Sequence, residues 1–220
     1  MIKASKVYGI LKVGPRNFME EFVSEGRLYM NTLRYFQELE AKDFLRADKS
    51  EGLSASFPAH KMRFYVDDHE IKHLNGRVRF GHPAYDKIAI FSMYALTEFN
   101  LDTIIDDRVL EFGDTTVVIL KGDDFIDRIR RECEKRKLLF QTGLVTYVCK
   151  DTHEGDMGPF RKYSDLAYQS EFRIAVKSGR DGPIDDFYIG DISDIVHFCN
   201  SSTVKSQFEI RKDAESGPRD

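Results

Sequence analysis

Phe160-Arg-Lys-Tyr-Ser-Asp-Leu-Ala-Tyr-Gln-Ser-Glu-Phe-Arg-Ile-Ala-Val176 is the stretch whose reading decides the fold. A basic and aromatic lead-in gives way at Tyr168 to alternation, the mark of a β-strand whose successive side chains point to opposite faces. Taken as one regular strand, Tyr168, Ser170, Phe172 and Ile174 share one face and Gln169, Glu171, Arg173 and Ala175 the other. An amide, an acid and a base then stand in a row. The plain reading is the solvated face of an ordinary strand. The functional reading is a Gln-x-Glu-x-Arg rack inside a cleft.

Further strands surround it. Lys6–Val13 opens the chain as a strand, broken by Gly14-Pro15, and Ile88–Phe91 is a four-residue apolar run expected as a buried central strand ending at Ser92. Thr115–Leu120 and Gly143–Lys150 also read as strands. Asn17–Glu25 spaces Phe18, Phe22 and Val23 as a helix face, with Gly26 as its stop. Arg27–Asn31 is a short strand, and Thr32 caps a helix over Leu33–Glu40 in which Tyr35, Phe36 and Leu39 pack. Asp123 or Asp124 caps a longer helix with Phe125, Ile129 and Cys133 inward. Arg46–Gly52 is a charged loop, either solvated or folded over something. Met62–Phe80 reads as a β-meander, with Asn75-Gly76 as a hairpin turn. Asp186–Ile189 is expected as a strand, Ser193–Phe198 as a helix or turn, and Gln207–Arg211 as a closing strand. The whole is an α+β chain of mixed or antiparallel sheets with flanking helices. It forms one globular domain over 1–212, carrying 62–80 as a meander insertion, before a flexible tail at 213–220.

Composition narrows the function classes. A net charge of −4 over 220 residues does not suggest broad, non-specific nucleic-acid binding, but leaves room for a local basic groove. Cys133, Cys149 and Cys199 are odd in number and lack metal spacing, so they read as reduced thiols of a cytoplasmic protein. No signal peptide opens the chain, and no apolar run approaches the roughly 20 residues that span a bilayer. His69-Glu-Ile-Lys-His73 matches the zinc-protease pattern by letter. That pattern needs a helix, and on a strand the two imidazoles lie roughly 13 Å apart at about 3.3 Å per residue, too far to share an ion.

In order along the chain, Val7–Leu11, Pro15–Gly26, Leu28-Tyr29-Met30, Asp48–Gly52, Ile90-Phe91-Ser92, Lys162–Arg173 and the later Tyr188–Ile195 resemble a large prokaryotic family of uncharacterised domains. The layout is also similar to the ADP-ribosyltransferase superfamily, which implies a split β-sandwich and NAD as substrate. On that resemblance Gln169 and Glu171 match the catalytic Gln-x-Glu strand and Ser92 the middle-strand serine. Glu171 would stabilise the oxocarbenium-like ribose, and Gln169 would orient the acceptor on a macromolecular target, as in a toxin or phage-defence effector. The first motif departs from the pattern: Gly9 and Ile10 stand where a basic residue is expected. Lys12, Arg27 or Arg46 is left to bind pyrophosphate, and Arg46, Asp48 and Glu51 are placed over the cleft, facing Gln169, Glu171 and Arg173. Two alternatives stand beside this reading. One is a divalent-metal hydrolase or nuclease using Asp48, Glu51 and Glu171; the other is a non-catalytic binding module on the same fold.

Overall fold

A computed structural model describes residues 5–39, 50–81 and 84–209. Six strands form the main sheet: β1 (Val7–Gly14), β2 (Ile88–Thr97), β3 (Thr115–Ile119), β4 (Leu139–Leu144), β5 (Glu171–Lys177) and β6 (Val196–Asn200). Their order is β6-β3-β1-β2-β5-β4, antiparallel throughout, with Asn31–Thr32 added against β2 as a seventh piece. The chain is thus α+β with mostly antiparallel sheets. β2 is longer than the sequence suggests. It runs through Ser92 to Thr97, because Met93 to Leu96 are as apolar as the run before them and find partners, Met93 and Tyr94 on β5 and Tyr94, Ala95 and Leu96 on β1.

One face of the sheet is covered by α1 (Arg16–Ser24) and the long helix Gly122–Arg136. Met19 and Phe22 from the first, and Phe125, Ile129 and Cys133 from the second, pack on Ile10, Phe91, Met93, Val117, Ile174 and Val176. Phe18, expected inward, is 55% exposed, and Met19 takes its place. With Pro15 as N-cap, residues 19 and 22, three apart, form the row that meets the sheet. Neither Asp123 nor Asp124 caps the long helix; both lie in its first turn, where carboxylates favour the positive end of the dipole. In the short helix Leu33–Glu38 the Thr32 cap is present, but Leu33 is the buried residue and Tyr35 is exposed.

The opposite face carries two apolar patches with a polar gap between them. Leu11, Val13, Tyr94 and Leu96 belong to one patch, and Leu33, Ile90 and Ala175 to the other. Along β2 and β5 the gap falls at Ser92 and Arg173, which pair across the strands.

Smaller sheets complete the chain. Leu53–Pro58 pairs antiparallel with both Gly155–Asp156 and Arg77–Gly81. The expected meander is therefore interrupted. Phe64–Val66 and His69–Ile71 form a hairpin about Asp67-Asp68, while Arg77–Gly81 passes them by to pair with Leu53–Pro58. Asn75-Gly76 closes the base of that excursion, with the Ala59 N–H donating to the Gly76 carbonyl at 2.9 Å. His69 lies on a strand, and no group of His, Cys, Asp or Glu among the described residues is arranged to hold a metal ion.

The expected strand Gly143–Lys150 is divided. β4 ends at Leu144, and Thr146–Val148 turns away to pair in parallel with Arg161–Tyr163. Near the end, Ser193–Ile195 is a helical turn as read, but Val196–Asn200 is an edge strand. Asp186–Ile189 contributes a single bridge, Arg27 to Tyr188. Gln207 ends a 3₁₀ helix rather than opening a strand, and residues 210–220 lie outside the described residues. No described helix is long and apolar enough to cross a membrane.

Two glycines test the backbone geometry. Both hold left-handed angles, φ +63° at Gly26 and +89° at Gly76, but a Cβ on Gly26 would collide with the Gly190 carbonyl oxygen whereas Gly76 faces open space. Gly76→Ala is expected to cost roughly 1–2 kcal/mol, the strain of the left-handed backbone alone. Gly26→Ala is expected to exceed it by more than about 1 kcal/mol of overpacking, read from denaturant midpoints.

Candidate functional site

The Gln-x-Glu stretch is not one strand. Ser164–Gln169 forms a 3₁₀ helix, Ser170 turns left-handed at φ 37°, and β5 begins at Glu171. Ser170 is pinned in that turn. Its carbonyl accepts from the Ala95 N–H at 2.7 Å, its hydroxyl donates to the Ala95 carbonyl at 2.9 Å, and Asn100 Nδ2 donates to that hydroxyl at 3.0 Å. Alternation missed the turn because a short 3₁₀ segment carries no period of its own in this sequence. Tyr168 lies under the Arg108 guanidinium, 3.8 Å from its ring centroid.

Glu171 and Arg173, two apart on β5, share the polar gap of the sheet face. Arg173 is flanked across the strands by Ser92 and by Gly143, and its side chain is 1% exposed. Its Nε donates to Glu171 Oε2 at 2.6 Å; Nη1 and Nη2 donate to the two oxygens of Glu51 at 2.8 and 2.7 Å; Nη1 also donates to the Pro159 carbonyl at 2.6 Å. Lys162 Nζ donates to Glu171 Oε1 and to Gln169 Oε1, both at 2.7 Å, and stands 3.6 Å from Glu51. Two carboxylates thus face two cations in a cluster whose four charged side chains are at most 8% exposed.

The electrostatics follow from that packing. Burial on its own pushes the Glu171 carboxyl up, but Arg173 and Lys162 outweigh it and hold the group well below the usual carboxylate range. Burial disfavours the Arg173 cation, and Glu171 and Glu51 together more than reverse this, raising it well above its ordinary value. The Tyr147 hydroxyl, which accepts from the Glu171 backbone N–H at 3.0 Å, is pushed far up by burial and by the neighbouring carboxylate.

Of the residues singled out in the sequence, Gln169, Glu171, Arg173 and Glu51 meet in this cluster, and Ser92 lies beside Arg173 in register. Glu51 folds over β5 as the resemblance implied. Lys12 does not join them. It lies on the helix-covered face, 4.3 Å from the Phe91 ring centroid, where its ammonium donates to the Ser92 carbonyl at 2.6 Å. Strand parity accounts for this, since Lys12 shares the face of Ile10 and Leu11 the other. Arg27 is also engaged elsewhere, with Glu21. Arg46 and Asp48 lie outside the described residues. Lys162 was missed as a site residue, although the spacing Lys162–Gln169–Glu171 was in view. Tyr147 gave no signal.

A cavity of about 200 Å³ opens elsewhere, lined by Arg136, Leu138, Ser178, Arg180, Ile184 and Asp186, none of them in the cluster. No protein-family model, no curated protein and no solved structure matches the chain.

Among the described residues the charges of the cluster are matched two against two. Each Glu171 oxygen accepts from a cation, and both Glu51 oxygens are turned to the Arg173 guanidinium. Glu51 and Glu171 therefore converge on a cation that the chain already supplies. A divalent ion would have to compete with it.

Glu51→Ala leaves a buried guanidinium short of its bidentate partner and is expected to cost about 3–5 kcal/mol in chemical denaturation. Replacing Glu51, Lys162, Glu171 and Arg173 together by Met is expected to cost far less than the four single losses combined, because no charge is then left uncompensated. The pH dependence has a definite sign. The folded Glu171 value is depressed, so its stabilisation is complete above the ordinary glutamate value of 4.5 and drains away as the pH falls below it. Acid titration of stability should show this loss in the native chain and a flatter profile in the fourfold variant.

Proposed function

We propose that the chain is a binding protein and that its Gln-x-Glu-x-Arg residues serve the fold rather than turnover. The supporting observation is the internal compensation of the cluster: Glu51, Lys162, Glu171 and Arg173 neutralise one another below the surface. A carboxylate that stabilises a ribose cation must be able to approach it, and this one is engaged on both oxygens. The free thiols of Cys133, Cys149 and Cys199 agree with a cytoplasmic setting for such a protein.

One observation favours a second reading, the ADP-ribosyltransferase-like enzyme with its split β-sandwich. Gln169 and Glu171 meet on a single ammonium, so the motif pair stands side by side even though Gln169 is off the strand. On this reading Glu171 would face the ribose and Gln169 the acceptor, once the Glu51 segment had lifted from Arg173. The target would be a macromolecule, as for a toxin or phage-defence effector. Pyrophosphate binding would fall to Arg46, since Lys12 faces away.

NAD separates the two. The binding reading expects no thermal shift with millimolar NAD and no release of nicotinamide, with or without candidate targets. Glu171→Gln alone is a poor probe, because it uncovers Lys162 and Arg173 and weakens the fold whatever the function. Nicotinamide release by the wild type that disappears in Gln169→Ala, at unchanged melting temperature, would overturn the binding reading in favour of the transferase.

A further inference from the structure

We propose that Asn75 is a self-modification site, at which the side-chain amide is lost to attack by the following main-chain nitrogen and aspartate or isoaspartate is left behind. The inference goes beyond the binding reading and does not rest on it. The reaction needs a side-chain amide that nothing holds, a following nitrogen that is uncrowded and unbonded, and a backbone free to bring the two together in water.

The chain has five asparagines, at 17, 31, 75, 100 and 200. The other four are restrained. Asn17 lies in α1 before Phe18, and Asn31 is paired in register with Ile90 before Thr32. In both, regular structure fixes the backbone and a side chain crowds the next nitrogen. Asn100 is held by its side chain: Oδ1 accepts from the Thr97 N–H at 2.7 Å, and Nδ2 donates to the Tyr94 hydroxyl at 2.8 Å and the Ala95 carbonyl at 2.9 Å. Asn200 accepts from the Ser202 N–H at 2.9 Å, and the nitrogen that follows it, on Ser201, donates to the Asp114 carbonyl at 2.9 Å.

Asn75 has none of these restraints. It is exposed, its side chain makes no hydrogen bond among the described residues, and 72–75 belongs to no helix, strand or hydrogen-bonded turn. The next residue is Gly76, with nothing within 4 Å of where a Cβ would stand. Its carbonyl accepts from the Ala59 N–H, but its own N–H has no acceptor among the described residues. Asp181-Gly182 could close the same ring with loss of water. Gly182 is as open, at φ +92°, but its N–H donates to the Asp86 carbonyl at 3.2 Å.

The step balances without an oxidant or a cofactor. As its proton passes to solvent base, the Gly76 nitrogen bonds to the Asn75 Cγ, and the Cγ–Nδ2 bond breaks to release ammonia. Water then opens the five-membered imide. Opening at Cγ gives aspartate. Opening at the main-chain carbonyl gives isoaspartate and routes the chain through the side-chain methylene, one carbon longer, at the base of the excursion that Gly76 and Ala59 close. Either product carries one more negative charge, taking the chain from −4 to −5.

The test is a time course on the whole chain in mildly alkaline buffer, native and in urea, followed by peptide mass spectrometry and by chromatographic separation of aspartate from isoaspartate. The Asn75 peptide should gain roughly one mass unit and yield both products. Its native rate should match the rate in urea within about threefold, as for a segment whose local opening costs almost nothing, while Asn100 and Asn200 convert measurably only in urea. Gly76→Ala, which sets a methyl beside the attacking nitrogen, should slow the conversion by roughly tenfold or more. Since that change also strains the backbone, Asn75→Gln is the second variant; it should remove the shift at this peptide with the melting temperature unchanged. Native protection of Asn75 by more than about tenfold over urea, conversion of another asparagine as fast in the native chain, aspartate as the sole product, or a rate indifferent to Gly76→Ala would each overturn the inference.

Discussion

The Arg173 guanidinium lies at the centre of the polar half of this protein. A buried cation of this size is tolerated only where charge and hydrogen bonds compensate its lost hydration. Glu171 satisfies one side from two residues along the same strand, Glu51 satisfies the far fork from 122 residues away, and the Pro159 carbonyl adds a third acceptor. The arrangement links β5 to the turn that precedes Leu53–Pro58 and to the loop that precedes Arg161–Tyr163. Alternative dockings of those segments would strand at least one buried charge, so the cluster's contribution is to specify one arrangement more than to add net stability.

The two faces of the main sheet divide the labour. The helix-covered face is a continuous apolar core built from Phe22, Phe91, Phe125 and the aliphatic side chains around them. On the other face the apolar surface is split, and charge fills the gap. That division explains why Lys12, although near Ser92 in the sheet, is chemically remote from Glu171: its stem runs along the aromatic core and its ammonium ends on a backbone carbonyl. It also explains the left-handed turn at Ser170. Three hydrogen bonds fix the point at which a 3₁₀ helix must become a strand, and so set which face Glu171 and Arg173 occupy.

Much of this was legible in the sequence because apolar runs and alternation report burial. The runs in β1, β2 and β3, and the inward row Phe125, Ile129 and Cys133, are signals of that kind. The site residues Glu171 and Arg173 stand out for the same reason, as polar groups spaced along an apolar strand, whereas Gln169 shares their site from the 3₁₀ helix before it. What could not be read was pairing at a distance. Nothing local says that Arg77–Gly81 passes the hairpin to join Leu53–Pro58, or that Val145 separates two strands bound for different sheets, since both depend on what the rest of the chain offers as a neighbour. Lys162 was hidden for a related reason. Lysine is read as surface by default, and its burial here follows only from two acceptors brought to it by the 3₁₀ turn and the strand.

A Gln-x-Glu pair on a strand is ambiguous by composition, because the property that suits a carboxylate to a developing ribose cation also suits it to a resident one. What separates the cases is where the compensating charge comes from. A catalytic carboxylate keeps at least one oxygen for the substrate and is ionised by a site open enough for solvent or ligand to reach it. Glu171 is ionised by Lys162 and Arg173, which are as deeply buried as itself, and Glu51 sets a second carboxylate against these two cations among the described residues. Opening such a cluster exposes all its charges together, since none of the four can be freed for a ligand without uncovering a buried partner.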